Sequence, residues 1–389
     1  MRYIPIGAAC IALTLVLSGC QEQQNTTEKT SNAAEQTAPN IEAQNKREIA
    51  QQLAKNYTQI AAQLKQHINV ENSGVSLESL VKTINLPSLT TQAANTEKMV
   101  FAKRGLDQHP EDLLTVSLAN PSMLPGVEAG QQPLFTYQQD NVKAGDSIDM
   151  FDSHGDLVIG SADVMPEQPV FIVGVDEQKA MRAGLATMQS VFDANDTIMR
   201  DNLPKLASAP KAGEEFLSTT VLKKVSVKDD QEPWISGKAE IYALVSGVNP
   251  SRDEPTLDVV EMPYLDYQDQ VYYPNQIMVY WARYRWGAAN IILMEHDTNT
   301  NYRELAQVII KTAATVIASQ IDGGAASLPI VNTLVDAILK AIPDETFTNN
   351  DDMVDFYYTI LQTDELIDQP GASNNATITL EPREIPLTQ

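Results

Sequence analysis

The sequence predicts an α+β protein: an N-terminal α+β domain followed by a β-sandwich with an inserted helical hairpin. Three observations lead there. Apolar residues recur at spacings of three and four through residues 49–68 and 77–84. From about residue 112 the period falls to two. Beyond a segment with two prolines and a glycine, residues 201–213, strand-like runs dominate and are interrupted once by a pair of amphipathic stripes. The first domain is therefore set at 46–200, the linker at 201–213 and the second domain at 214–389, with the helical hairpin at 302–342.

The N-terminal segment comes first. Arg2 precedes an apolar stretch from Ile4 to Leu17 that is too short to span a bilayer and suits the apolar region of a signal peptide. It ends in Leu17-Ser18-Gly19-Cys20, which resembles the lipobox of bacterial lipoproteins. The resemblance implies a signal peptide at 1–19, cleavage after Gly19, a diacylglycerol thioether on Cys20 and acylation, of the palmitate type, at the new N-terminus. Each buried CH₂ contributes about 0.8 kcal/mol, so one chain holds marginally and two or three hold durably. Gln21, where an Asp would imply retention at the inner membrane, implies the outer membrane. Cys10 leaves with the signal, so no thiol remains for a disulfide or a nucleophile. Residues 21–45 carry no aromatic and one large aliphatic residue, Ile41, and are expected to be a disordered tether. Such a tether reaches roughly 25–30 Å.

In the first domain, Ile49, Leu53, Tyr57, Ile60, Leu64 and Ile68 form one helical stripe over 46–68. A second helix starts at Ser76, an N-cap, and stops before Pro87. Strands follow at 114–118 and 134–137, then a hairpin whose turn is Asp152-Ser153-His154-Gly155-Asp156. The unbroken apolar run 169–175 reads as a strand covered on both faces, and a helix begins at Glu177 with Met181, Leu185, Met188 and Phe192 inward. In the second domain, strands are expected at 216–227, 234–248, 256–262, 271–286, 288–296, 354–361 and 376–380. Along 271–286, Tyr280, Ala282, Tyr284 and Trp286 would share one face and Ile277, Val279 and Trp281 the other.

Charge restricts the partners. Removing Arg2 with the signal leaves 26 basic against 51 acidic residues, a formal charge of −25. That field repels nucleic acid and anionic headgroups, so nucleic-acid binding is excluded and the membrane is held through lipid on Cys20. The chain has no HExxH, GxSxG, Walker A or GxGxxG motif and names no catalytic residue or resident cofactor. Its four histidines, His67, His109, His154 and His296, leave open a hydrolase with a dispersed site.

A calcium site is the sharpest metal reading. Asp297, Asn299 and Asn301 alternate in a loop, and Asp266, Asp269, Asp351 and Asp352, with Asp355, stand in other acidic loops of the second domain. Oxygen-rich loops suit Ca²⁺, though the glycine and late glutamate of an EF-hand are missing, and three such loops at one end of a sandwich resemble C2-type calcium domains at the level of architecture, which implies a C2-like sandwich. The competing reading is that Asp297 caps the next helix. Tyr264, Tyr267, Tyr272, Tyr273, Tyr280, Trp281, Tyr284 and Trp286 form an aromatic cluster that is either core or a grip for a protein or carbohydrate ligand. The hairpin 302–342, with Gly323-Gly324 between its stripes, also fits a membrane-damaging toxin, but Arg303, Glu304, Lys311, Asp336 and Lys340 give it a polar face that favours packing on a sheet.

The segments PVFIVGVDEQKAMRAGLATMQ, EMPYLDYQDQVYYPNQIMVYWARY and ILMEHDTNTNY resemble an uncharacterised domain-of-unknown-function family of bacterial secreted proteins and lipoproteins, over about residues 46–382. The resemblance implies no particular activity and carries over no functional residue. The expectation is a membrane-anchored envelope lipoprotein acting as a binding or interaction module, calcium-supported in one form, with the hydrolase and the toxin as alternatives.

Overall fold

A computed structural model of the chain describes residues 40–69, 74–106, 112–139, 142, 145–195, 216–228, 240–250, 254–265, 268–296, 300–321, 329–342 and 353–386. All but Asn40 belong to one compact unit, Ile41–Gln389. Among the described residues there are eight α-helices and fifteen strands in three sheets, a mixed α+β fold.

The first helical stripe divides in two. Helix α1, Ile41–Lys55, and α2, Tyr57–His67, meet at Asn56, whose side-chain amide donates to the Gln52 carbonyl (2.8 Å). α1 begins earlier than the tether expectation allows, because Glu42 is buried and receives Lys46 (2.9 Å) and Lys103 (3.4 Å). Ile49, Leu53, Ile60 and Leu64 are fully buried. At about 1.5–3 kcal/mol per buried aliphatic side chain, this stripe outweighs the polar composition around it.

A short strand β1, Gly74–Ser76, leads into α3, Leu77–Ile84. Ser76 caps α3 through the Ser79 amide (3.4 Å), and Asn85 ends it in the left-handed region (φ 56°). Pro87 does not only stop that helix: it opens α4, Pro87–Lys103, at a position where its missing N–H costs nothing.

The first sheet has the order β1-β2-β6-β3-β4-β5, with β2 Leu114–Leu118, β3 Leu134–Tyr137, β4 Ser147–Phe151, β5 Leu157–Ser161 and β6 Val170–Val175. β3 and β6 pair in parallel and the other neighbours are antiparallel. Every residue of β6 is buried, as its apolar run requires. The β4–β5 turn is built by the Asp152 carboxylate, which accepts the His154 and Asp156 amides, with Gly155 at φ 81°. A short helix α5, Leu124–Glu128, lies between β2 and β3.

Helix α6, Glu177–Asn195, joins the halves. Ala180 lies in the core under the first sheet, whereas Met181, Leu185, Met188 and Phe192 lie in a second core with residues beyond 240. Sequence order groups α6 with the first half; most of its apolar face packs with the second.

Two further sheets complete the unit. One has the order β10-β7-β15-β14, with β11 also on β7 (β7 Phe216–Val227, β10 Val271–Tyr272, β11 Gln276–Tyr280, β14 Leu366–Pro370, β15 Ala376–Pro386). The other is β13-β12-β8-β9 (β8 Ile241–Val248, β9 Pro255–Glu261, β12 Ala288–Glu295, β13 Met353–Leu361). Leu222, Val225 and Ile378 of the former share a core with Ala243, Val245 and Ile291 of the latter. The opposite face of β8 and β12 (Tyr242, Leu244, Ile292) packs with α6, α7 Tyr302–Ile321 and α8 Ile330–Ala341. Covered on both sides, β8 and β12 are buried at every position.

The single strand expected at 271–286 is broken. Trp281–Arg283 and Arg285–Gly287 are 3₁₀ turns, because Trp286 and Gly287 take positive φ (59° and 55°) and turn the chain away from the ladder. The expected alternation of its aromatics fails with it. The helical pair α7–α8 packs on its sheet with Ile309, Ile317, Val331 and Leu334 fully buried. No helix among the described residues is long and apolar enough to cross a membrane.

Candidate functional site

The richest constellation of reactive side chains lies where four elements end. Arg104 is the C-cap of α4, Glu177 opens α6, His296 follows β12 and Tyr302 opens α7. All four are sealed: Arg104 is 2% exposed, Glu177 8%, His296 4% and Tyr302 0%. Arg104 donates to both Glu177 oxygens, Nη1 to Oε2 at 2.6 Å and Nη2 to Oε1 at 2.9 Å. Gln138 Nε2 donates to Oε1 at 2.5 Å. His296 Nε2 lies 2.9 Å from Oε2 and 3.1 Å from Arg104 Nη1, and its Nδ1 is 2.5 Å from the Tyr302 hydroxyl. A proton on Nε2 serves Glu177 and leaves Nδ1 to accept from Tyr302, which satisfies the network with a neutral ring.

Electrostatics agree with the geometry. Burial works against charge on Glu177, but the Arg104 guanidinium and His296 overcome it and hold the carboxyl well below the usual carboxylate range. Burial likewise opposes charge on Arg104, and Glu177 more than offsets it, so the guanidinium stays charged. Burial pushes the Tyr302 hydroxyl well up. The backbone reinforces the junction: the Tyr302 amide donates to the Arg104 carbonyl (3.1 Å), and the Val175 amide to Gln138 Oε1 (2.9 Å). Gly184 leaves room for the Tyr302 ring, since a Cβ there would fall 2.1 Å from it. Closed to solvent and engaged with one another, these groups tie the first sheet's helices to β12 and α7.

Two of the clefts among the described residues are open. One, about 460 Å³, runs between α3 and α4 over a floor of Leu77, Val81, Ala93 and Phe101. Glu78, Glu97, Lys98 and Asp112 stand around it. Glu97 Oε1 accepts the Leu113 amide, Asp112 accepts the Ser76 hydroxyl (2.8 Å), and Glu78 pairs with Lys82 (2.5 Å). Burial, then the charges of Asp112 and Glu78, pushes the Glu97 carboxyl above its ordinary value against the pull of its backbone donors. The other cleft, about 530 Å³, lies among Val191, Ile310 and Ala314, with Glu254 and Lys311 as its charges.

The family model described as protein of unknown function (DUF3103) matches residues 46–388. The chain belongs to this family. No curated protein and no solved structure gives a match.

In this DUF3103 chain the expected calcium loops are divided. Asp266, Asp297, Asn299, Asp351 and Asp352 lie outside the described residues, as do Cys20 and His109. Asp269 sits in a turn (φ 57°) where its amide donates to the Val227 carbonyl (2.7 Å). Asn301 caps α7: its Oδ1 accepts the Glu304 amide (3.1 Å). Asp269 and Asn301 thus stand against different elements. Asp355 is fully buried and accepts four amides, from Phe356 (2.8 Å), Ser373 (2.8 Å), Asn375 (2.9 Å) and Ala376 (2.7 Å), which fix the β14–β15 turn. Among the described residues no group of three His, Cys, Asp or Glu is arranged to hold a metal ion.

The aromatic cluster of the DUF3103 chain splits. Trp281 and Tyr284 are buried edge to face (6.2 Å), and Tyr284 donates to Asp258 (2.6 Å), which Arg283 also holds (2.8 Å). Tyr273, Tyr280 and Trp286 are exposed, Trp286 beneath the Arg285 guanidinium (4.7 Å). Tyr267 is outside the described residues. His154 stands in the exposed turn and His67 at the exposed end of α2, far in environment from the sealed His296. Arg104, Gln138, Glu177 and Tyr302, and the groove residues Glu97 and Asp112, were not singled out from the sequence. The nearest signals were an acidic residue directly after a fully apolar strand, and a proline that can open a helix as well as end one.

Proposed function

We propose that this protein is a lipid-anchored envelope lipoprotein, held through Cys20 at the outer membrane, whose folded body is a binding or interaction module. The observation that supports the reading is the state of the Arg104–Glu177–His296–Tyr302 cluster. Its reactive groups are at most 8% exposed and are spent on one another, so the chemistry offered to solvent is that of open grooves and surface aromatics. The two sheets that share one core are read as a β-sandwich. Its C2-like character turns on loops at 266–267, 297–299 and 351–352, outside the described residues.

The address is tested by fractionation. The wild-type chain is expected in the outer-membrane fraction and labelled by a radioactive fatty acid; Cys20→Ala is expected unlabelled and absent from that fraction. Unlabelled wild-type protein in the soluble envelope fraction would overturn the anchoring.

A further inference from the structure

At the free edge of the first sheet, exposed apolar side chains and unengaged backbone coincide. β5 is the terminal strand there, paired with β4. The Asp152 amide donates to the Asp156 carbonyl (3.1 Å) and the Ala162 amide to the Asp146 carbonyl (2.9 Å), which fixes the phase of the ladder. Even-numbered residues of β5 turn their backbone to β4, so Leu157 and Ile159 turn theirs outward, where no described group bonds them. The same two side chains are 50% and 58% exposed. They stand opposite Phe151 and Asp149, which Arg47 of α1 covers, and continue that face beyond the helix. Such edges invite pairing, and proteins usually blunt them with brevity, charge or proline. β1 has three residues, and β14 carries Asp368 and Pro370. Residues 157–161, Leu-Val-Ile-Gly-Ser, carry neither a charge nor a proline.

We propose that β5 accepts an extended, cationic peptide segment of another protein as a seventh strand of this six-stranded sheet. Area and charge choose that occupant. A stable dimer needs about 800 Å² from each partner. A five-residue edge with two exposed apolar side chains supplies far less, yet it is what one added strand requires. Asp156 precedes the strand and Asp163 follows it, both exposed and without a basic partner among the described residues. The cations beside the edge are Arg47, held by Asp149 (2.8 Å), and Lys55, laid along Gly155. On a chain of formal charge −24, the acidic ends repel a second copy and attract a basic segment. Alternate residues of the added strand bond the outward groups of Leu157 and Ile159 and lay their side chains beside them, so β-branched residues suit those positions. Basic residues flanking that core meet Asp156 and Asp163.

The inference rests on the reading of the body as a binding module but not on its anchoring: failure of the peptide removes this edge as the site and leaves the fractionation result untouched. The test is fluorescence anisotropy of the full chain in detergent with a fluorescein-labelled peptide amide, KTVTVTK. Saturable binding is expected, with slowed hydrogen exchange at the Leu157 and Ile159 amides. Methylating both valine nitrogens removes the N–H groups that face β5 and keeps the side chains, and each lost bond is expected to weaken binding about fivefold. Reversing the charge, in ETVTVTE, is expected to weaken it about fivefold or more. Ile159→Pro removes an outward N–H that the ladder does not use and is expected to abolish binding. Ile159→Thr keeps a strand-forming residue, trims the apolar contact and is expected to weaken binding about fivefold. Absence of binding, equal binding of the methylated or acidic peptide, or binding indifferent to both substitutions would overturn the proposal. So would a dimer in sedimentation that Ile159→Pro dissolves, since the edge would then belong to a second copy.

Discussion

Arg104→Ala removes the guanidinium that makes two of the four polar contacts to Glu177 and leaves a carboxylate that is 8% exposed with Gln138 and His296 as its partners. Breaking a buried ion pair from one side costs about 3–5 kcal/mol, because the remaining charge is left uncompensated. With an unfolding entropy of about 2.1 cal/mol/K per residue, that loss lowers the melting temperature of a body this size by about 4–7 °C. The double variant Arg104→Met with Glu177→Leu removes the charge with its partner and fills the same space. It is expected to recover most of the loss, since well-packed apolar replacements of buried pairs are often neutral. Thermal and urea unfolding at pH 7 on the four members of the cycle measure the coupling directly. A loss below about 1 kcal/mol in Arg104→Ala, the scale of an exposed pair, would contradict a buried, coupled ion pair, as would a double variant as unstable as the sum of the singles.

Other outcomes follow from the same geometry. Glu177 has its carboxyl depressed in the folded state, so its stabilisation is present above the unfolded value, about 4.3, and is lost as pH falls below it. Urea unfolding across that range should therefore show a steeper acid loss in wild type than in Glu177→Gln, and parallel curves would contradict the assignment. Gly184→Ala gains helix propensity of up to about 1 kcal/mol yet is expected to destabilise by about 1–3 kcal/mol, because its Cβ meets the Tyr302 ring at 2.1 Å; a more stable variant would show that the ring yields freely. Asp355→Asn weakens a group that accepts four amides and should cost about 1.5–3 kcal/mol in chemical unfolding; no change would contradict its anchoring role. Asn301→Ala should cost about 1 kcal/mol equally in chelator and in millimolar Ca²⁺, as a lost cap does; a cost confined to Ca²⁺ would place Asn301 on a metal.

Much of the fold was legible because local period and burial agree. The apolar run at 170–175 is a fully buried strand, Ser76 caps its helix, and the Asp152–Asp156 turn joins a hairpin. The α4 helix draws no stripe in the sequence, because its inward positions include Ala93 and Thr96, small or polar, and Pro87 at its start reads equally as the end of the helix before it. The break at Trp286 was hidden because a bulky residue in the left-handed region runs against local preference. The sealed cluster was illegible for a different reason: Arg104, Glu177 and His296 are 73 and 119 residues apart in turn, and only the assembled sheets bring them together. Of the expected calcium residues, the Asn301 side chain accepts the Glu304 amide as a helix cap and the Asp269 backbone amide donates to the Val227 carbonyl.

The proposed anchoring through lipid on Cys20 is read from the mass of the N-terminal fragment of the mature protein. A chain that begins at Cys20 and carries a diacylglycerol and an additional acyl chain is expected. A mature chain beginning elsewhere, or a Cys20 of unmodified mass, would contradict it.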